Sequence, residues 1–320
     1  MERKLVEVAW EITDKCNFDC VHCYNPRKRE DLEYSQVFGV LKQLKLMGVD
    51  KVKYGGGEPL LRSDFLEILE TTLSMGFDTT FSTNGFIVDS SVVEKIKHTG
   101  LTRIQVSLDG NKEVQNLIRQ NPLAYSRATR AIELFTNQGF NVSVATTLVK
   151  PNLNCLEDIF GDCLARGVNR WRVMKYIPFS RRDLLPSSEE YFRAHNQLMQ
   201  LKVQSTKMEV YVAREFNEVC EKKDRFDAEC FGGRSVLSIR ANGDVSPCSY
   251  FPGLVVGNLK DNSVLELWNS QKMIEFAGEV YGNPGCEYFR LCQGGCKAAN
   301  FYISGDKGCD PYCWVNLNKK

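Results

Sequence analysis

The sequence predicts an α/β chain: a partial, TIM-like (β/α)6 barrel followed by a small, cysteine-rich C-terminal domain. Three observations carry this expectation. Six apolar runs of strand type alternate with stretches of helical period through the first half of the chain, and that alternation builds parallel sheets through right-handed crossovers. Glycine-rich or polar punctuation follows four successive runs. The last third of the chain trades this rhythm for short turns and closely spaced cysteines.

In chain order, the strand-like runs are "VEVAWEI" (6–12), "KVKY" (51–54), "FDTTFST" (77–83), "RIQVSL" (103–108), "NVSVATTLV" (141–149) and "RWRVMKY" (170–176). Helical periods lie at 34–47, 64–75, 91–98, 124–138 and 155–166; Leu41, Leu44 and Met47 mark the core face of the first. Six repeats are too few for a closed eight-stranded barrel, so a curved, partly open one is expected. In such sheets functional groups gather beyond the carboxyl ends of the strands. The punctuation falls there: Cys16, Cys20 and Cys23 after the first run, "GGGEPL" (55–60) after the second, "TNG" (83–85) after the third and "SLDG" (107–110) after the fourth. Past about residue 178, "PFSRRDLLPSSEE" reads as a loop leading into a helix at 188–204. From Cys230 onward come seven cysteines, at 230, 248, 286, 292, 296, 309 and 313. The expected organisation is a barrel over 1–178, a bridging helical and loop segment over 179–227, and a cysteine-rich domain over 228–320. The sparse apolar content of that last domain points to metal clusters helping to hold it together.

Composition narrows the classes. Lysine plus arginine (41) nearly cancels aspartate plus glutamate (40) across 320 residues, which argues against a nucleic-acid partner. The start, "MERKLVEVAW", lacks the apolar stretch of a signal peptide, and no later run is long enough to span a membrane. A cytoplasmic protein without a membrane partner is expected. There are 13 cysteines but only three histidines, His22, His98 and His195. In a reducing compartment, spaced thiols are metal ligands more often than disulfides. Plentiful thiolates and scarce imidazoles favour iron–sulfur chemistry over zinc enzymology.

The spacing Cys16-x3-Cys20-x2-Cys23 wraps three thiolates around one cluster and leaves one iron open. A zinc knuckle completed by His22 or a distant cysteine would leave the punctuated strand ends unexplained. With Tyr24 beside the last cysteine, the segment resembles the radical S-adenosylmethionine (SAM) superfamily, whose motif is CxxxCxxC. The resemblance implies a [4Fe-4S] cluster whose open iron takes SAM, and reductive cleavage of SAM to methionine and a 5′-deoxyadenosyl radical. "GGGEPL" is similar to the family's GGE motif, which implies SAM contacts from Gly56, Gly57 and Glu58; glycine lets main chain approach a ligand closely. Asn84, Ser107 and Asp109 resemble the family's polar contacts to SAM, though each also suits a cap or turn. Where relatives carry HDxxR this chain reads "QNLIR", so Arg119 survives while the histidine and aspartate are gone. Arginine there can meet a carboxylate bidentately.

The later cysteines resemble the SPASM extension, which carries auxiliary clusters. Cys230, Gly243 and Cys248 match its first part; Cys286, Cys292 and Cys296 match its second; Cys313 matches its last cysteine. One departure stands out, because the first cysteine of the family's CxxC is Asn283 here. The resemblance implies two auxiliary clusters, of the [4Fe-4S] type. Cys230, Cys248 and Cys296 serve the first, and Cys286, Cys292 and Cys313 serve the second, with Cys309 in "GDKGCDPYC" expected to replace the missing ligand. Cys155 and Cys163 read as buried apolar thiols. Cys220, just ahead of the C-terminal domain, reads as a hydrogen donor or extra ligand.

The expected function is that of a maturase, which modifies a ribosomally made peptide or protein through a C–S or C–C crosslink or a related oxidation. Its expected partners are a flavodoxin- or ferredoxin-like electron donor and a separate leader-recognition protein, since neither end carries a fused recognition domain. The alternatives are a small-molecule enzyme of cofactor or haem biosynthesis and, from another class, a non-catalytic iron–sulfur electron carrier. A carrier would have no use for the SAM-like segments.

Overall fold

The computed structural model describes residues 3–25, 28–212, 230–251, 253–305 and 307–313. Strands and helices alternate as β1 (Glu7–Thr13), α1 (Tyr34–Leu46), β2 (Lys51–Gly56), α2 (Phe65–Ser74), β3 (Asp78–Thr83), α3 (Ser90–His98) and β4 (Arg103–Ser107). They continue as α4 (Lys112–Arg119), α5 (Ala124–Asn137), β5 (Asn141–Leu148), α6 (Leu156–Ala165), β6 (Arg170–Lys175), α7 (Ser188–Gln204) and β7 (Glu209–Val212). Each of these seven strands runs parallel to its neighbour, for example Glu7 opposite Lys51 and Arg103 opposite Asn141.

Local chemistry sets several boundaries. Asp89 caps α3 by accepting from the Val92 amide at 2.8 Å, and Lys95, Lys97 and His98 sit in its last turn, where cations suit the helix dipole. Ser187 and Glu190 form a reciprocal capping box at the start of α7, at 3.2 and 2.7 Å. Asn111 caps α4, a helix that the periodicity did not announce because only Val114 and Ile118 of its apolar residues pack inward, Leu117 being exposed.

The sheet extends beyond six repeats on both sides. Its order is β10-β9-β8-β1-β2-β3-β4-β5-β6-β7, where β8 is Val236–Ile239, β9 Asp244–Ser246 and β10 Gly257–Asn258. The stretch expected only to bridge therefore supplies α7 and a seventh parallel strand, β7, on β6. At the other edge β8 of the cysteine-rich part pairs parallel with β1, and β9 and β10 add antiparallel strands. Both modules share one mixed, open sheet.

The period of two along each strand sorts its side chains. In β4, Ile104 and Val106 are buried under the outer helices. Arg103, Gln105 and Ser107 face the opposite way, into the curve of the sheet, and line cavities there. The apolar layer includes stacked edges such as Tyr54 on Phe65 and Phe65 on Phe81, with centroids 5.7 and 5.1 Å apart. Unlike a closed barrel, whose interior is packed with branched apolar side chains, this one keeps a polar lumen.

The C-terminal part adds α8 (Val264–Trp268), α9 (Gln271–Gly278), α10 (Phe289–Cys292) and α11 (Lys297–Ala299). Leu237, Ile239, Val245, Leu267 and Trp268 of this part join the main core, while a second, small core gathers Cys230, Phe251, Phe276, Cys296, Ala298 and Ala299 around Ile177 of the barrel, with Cys248 packed at the edge. Cys155 and Cys163 are buried among apolar side chains, as expected. Among the described residues no helix is long and apolar enough to cross a membrane.

Candidate active site

A cavity of about 360 Å³ lies at the carboxyl ends of the strands, within the ~300–1,000 Å³ range of small-molecule sites. Cys16, Cys20 and Cys23 line it from the loop after β1. That loop is tied down at several points. The Val21 amide donates to the Ile118 carbonyl at 2.9 Å, anchoring it to α4. Arg29 donates to Asp14 at 2.9 Å and to Glu11 at 3.1 Å, and Thr13 donates to Asp31 at 2.8 Å. No described cysteine is in a disulfide.

The glycine segment answers to packing as well as to a ligand. Gly56 has φ of +117°, and a Cβ there would strike the Thr13 carbonyl oxygen; a Cβ on Gly57 would strike that of Lys15. The Gly57 amide donates to Thr13 and the Glu58 amide to Lys15, both at 2.7 Å. The turn after β2 is thereby stitched to the chain just ahead of Cys16. Gly55, which the motif comparison did not single out, has nothing within 4 Å of its missing Cβ and opens onto the cavity.

Of the residues expected to meet SAM, Tyr24, Gly56, Gly57, Asn84, Ser107 and Arg119 line the cavity; Glu58 and Asp109 do not. Glu58 is a buried brace. Its carboxylate accepts from the Thr83 hydroxyl at 2.8 Å and the Asn84 amide at 2.7 Å, fixing the end of β3. Burial pushes its carboxyl up to about 7 against those hydrogen bonds. Asp109 pairs with Arg119 at 2.5 Å and accepts from the Thr147 amide at 2.8 Å. It thereby aims Arg119, whose other terminal nitrogen lies 3.7 Å from the Cys20 sulfur.

The altered "QNLIR" stretch explains itself. Gln115 accepts from the Asp109 amide at 2.6 Å and donates to the Ser107 carbonyl at 3.3 Å, while Asn116 accepts from the Tyr125 amide at 2.9 Å. Two amide side chains thus hold the turn after β4 and the start of α5, leaving Arg119 in the wall. The Asn84 side chain is also engaged, donating to Asn17 at 2.8 Å and accepting from the Phe86 amide at 2.9 Å.

Electrostatics follow burial. Desolvation raises the Cys20 thiol pKa, opposed by the Arg119 charge. His22 is pushed down to about 4 by burial, so it stands neutral beside Asp109, 3.7 Å away. Tyr24 donates to Glu11 at 3.1 Å, and burial drives its phenol well above the usual range. Glu11 also pairs with Arg240, a buried side chain of the C-terminal part.

Several wall residues had no local signal: Ser82, Gln105, Thr147 and Met174 from the strands, Lys175, Tyr176, Ile177 and Phe179 from the end of β6 and just after it, and Ser249 and Tyr250 from the C-terminal part. The Lys175 ammonium pairs with Asp310 at 2.7 Å, both nearly fully buried, which docks the last cysteine loop on β6. Tyr312 of that loop stacks on Tyr191 with centroids 4.1 Å apart. The Gly282 amide donates to the carbonyls of Lys307 (2.8 Å) and Gly308 (3.2 Å), laying the chain ahead of Cys309 against the turn that holds Asn283. Asn283 itself accepts from the Gly285 amide at 2.9 Å. Cys220 lies outside the described residues.

The donor set fits the cofactors that the motifs imply. Three thiols share one cavity wall, and the buried Nε of Arg119 has no hydrogen-bond partner among the described residues. Among those residues no three His, Cys, Asp or Glu side chains approach closely enough to chelate one ion; the thiolates of a cuboidal cluster bind different irons and stand further apart.

Comparison with known proteins agrees. Residues 10–163 match the model of the radical SAM superfamily, and residues 230–297 match that of the SPASM iron–sulfur cluster-binding domain. The chain belongs to the radical SAM superfamily and carries a SPASM domain. Radical SAM and SPASM domains imply SAM and iron–sulfur clusters as cofactors. Among curated relatives, an AdoMet-dependent heme synthase of Methanosarcina barkeri is 28% identical over 98% of this chain and 97% of its own. Mycofactocin maturase MftC of Mycolicibacterium smegmatis is 28% identical over 96% of this chain and 82% of its own. Among solved structures, Streptococcus suis SuiB bound to precursor peptide SuiA superposes with a TM-score of 0.80 at 18% identity, covering 96% of this chain and 74% of that one. The anSMEcpe structure with bound AdoMet and the Cp18Cys peptide gives 0.79 at 18%, covering 98% and 95%. Both solved likenesses speak to the fold alone.

Proposed function

We propose that this radical SAM enzyme modifies a side chain of a peptide or protein by hydrogen abstraction, forming a crosslink or a related oxidation product. The carrying observation is that one cavity joins the three thiols, the glycine turn and, across from them, Ser249 and Tyr250 of the SPASM domain. Cys16, Cys20 and Cys23 hold a [4Fe-4S] cluster in this reading. Gly55, Gly56 and Gly57 leave main chain open to SAM, Ser107 offers a hydroxyl, and Arg119 offers its free Nε–H. When bound, the cluster and SAM supply the reductive cleavage that yields a 5′-deoxyadenosyl radical.

The chain's own residues do the positioning. Asp109 and Gln115 hold Arg119 and the Ser107 turn, Glu58 holds Thr83 and Asn84, and Glu11 holds Tyr24 against the wall. The cavity of about 360 Å³ is of small-molecule size and is walled on one side by the SPASM domain, which suits a side chain reaching in beside SAM. Two of the solved relatives hold peptides, which agrees with this reading.

A second reading, tetrapyrrole chemistry, draws on the heme synthase relative that matches nearly end to end. The two separate by experiment. Reduced, reconstituted enzyme is given SAM with peptides encoded beside its gene, or with an iron-coproporphyrin. A peptide that loses hydrogen and stimulates 5′-deoxyadenosine formation upholds the proposal. Stimulation by the porphyrin, with loss of its carboxyl groups, overturns it. SPASM cysteines 230, 248 and 296 are proposed to hold a first auxiliary cluster, and 286, 292, 309 and 313 a second. The contact of Gly282 with Gly308 supports Cys309 standing in for the cysteine absent at Asn283. A flavodoxin- or ferredoxin-like donor and a separate leader-recognition protein complete the proposal.

A further inference from the structure

Lys297 is 2% exposed, although lysine is almost never fully buried unless paired. Among the described residues no carboxylate pairs with it. Its ammonium donates to the carbonyl of Phe276 and, at 3.4 Å, to that of Ala277, at the C-terminal end of α9. It also lies over the Phe276 ring, 4.7 Å from the centroid, and 5.7 Å from that of Tyr281. Phe276 packs in the small core that contains Cys230 and Cys296 and borders Cys248. Cys296 is the neighbour of Lys297 in sequence; burial and the Arg234 charge oppose the ammonium, while charges at Cys230, Glu279 and Cys248 favour it. Arg234 donates to the same Ala277 carbonyl at 3.2 Å, but it is only half-buried.

Cysteines bind iron as thiolates, and three thiolates on a doubly positive [4Fe-4S] core leave a net anion. Buried among Ile177, Phe251, Phe276, Ala298 and Ala299, that anion needs a counter-charge more than one at the surface would. A helix end alone does not require a buried ammonium, because its carbonyls are satisfied by neutral donors too. We propose that Lys297 is the built-in counter-charge of the first auxiliary cluster and raises that cluster's reduction potential, suiting it to accept an electron. The inference rests on Cys230, Cys248 and Cys296 holding that cluster. The step is a one-electron reduction: an external donor loses the electron, the cluster becomes more negative by one charge, and no bond forms. A fixed positive charge stabilises the more negative form.

The test is a redox titration of the full-length, reconstituted protein, followed by electron paramagnetic resonance, on Lys297→Gln and Lys297→Arg. Glutamine keeps a donor for the α9 carbonyls and removes the charge; arginine keeps the charge. At a potential that half-reduces the parent cluster, the Gln variant is expected to show a reduced-to-oxidised ratio at least ~tenfold lower, which is 59 mV for one electron. The Arg variant is expected to stay within about threefold of the parent, a smaller shift on the same scale. An unchanged ratio in a Gln variant with parental iron content overturns the inference, as does an equal shift in both variants, which marks a purely structural lysine. A Cys230→Ala, Cys248→Ala, Cys296→Ala variant tests the underlying ligand set separately. If it retains the same signal, the ligand assignment fails and the inference fails with it, whatever Lys297 does.

Discussion

The two cysteine-bearing regions stand in opposite relations to their hydrophobic cores. Cys16, Cys20 and Cys23 ride on a loop above a barrel whose core is already built, from Trp10, Tyr54, Phe65, Phe81, Phe135 and Trp171 among many others. Each such side chain contributes roughly 1.5–3 kcal/mol when fully buried. In the C-terminal region Cys230 and Cys296 are themselves core residues, in a cluster of seven buried side chains. One region carries its thiols on a loop beside a finished core; in the other, two of the thiols are part of a small apolar interior. Thiols on a loop and thiols inside a core are therefore expected to differ in how far the fold depends on metal.

The largest expected effect separates the regions outright. Replacing Cys16, Cys20 and Cys23 together by alanine is expected to abolish SAM cleavage to 5′-deoxyadenosine, because no other described thiol lines that cavity. The barrel is expected to keep its melting temperature within ~3 °C, since exposed and half-exposed loop thiols carry little packing. Chelating iron from the parent protein is expected to do the reverse: limited proteolysis then cuts the chain beyond residue 240 while leaving the barrel whole. A barrel that melts with the triple alanine variant, or a C-terminal region that resists protease without iron, would break the contrast.

A smaller effect sharpens it within the C-terminal region. Asn283 accepts from the Gly285 amide, a local turn contact. The chain before Cys309 is bonded to Gly282, and the residue after it, Asp310, is buried against Lys175. Cys309→Ala is therefore expected to lose up to one cluster's worth of iron and change the absorption spectrum, whereas Asn283→Ala costs about 1 kcal/mol or less of stability and no iron. Parental iron content and spectrum in Cys309→Ala would leave it a spare thiol.

What the sequence disclosed follows the same division. Cys16, Cys20 and Cys23 lie within eight residues, so their loop was legible from spacing, and the punctuated strand ends located the cavity that they line. Repeats with clear periods were legible as well; the helix expected around 188–204 is α7. The pairing of β8 with β1 joins Val236 to Glu7 across most of the chain and leaves no local trace. Strand β7 is four residues without glycine punctuation, which hid it in the presumed bridge. Ser249 and Tyr250 reach the cavity through the docking of the two regions, a long-range event that no motif encodes. Glu58 is the instructive middle case. Its motif pointed to the SAM site, but the side chain acts one step behind it, through Thr83 and Asn84.

Glu58 also supplies the smallest prediction, one confined to the finished barrel. Its carboxyl is raised from 4.5 to about 7 by burial, so the folded state holds its proton more tightly than the unfolded chain does. The stability this adds is fully present below pH ~4.5 and is lost as the pH climbs through about 7, a change of order 3 kcal/mol at most. Glutamine at this position cannot titrate, and it turns an amide N–H₂ toward the Thr83 and Asn84 donors, a constant cost of ~1–3 kcal/mol. Denaturant unfolding of the iron-free barrel, followed by the fluorescence of buried Trp10 and Trp171, is expected to show the parent losing stability between pH 5 and 8 relative to Glu58→Gln. Parallel pH profiles for the two proteins would mean that the hydrogen bonds from Thr83 and Asn84 outweigh burial and keep the carboxylate ionised, making the brace a charged one.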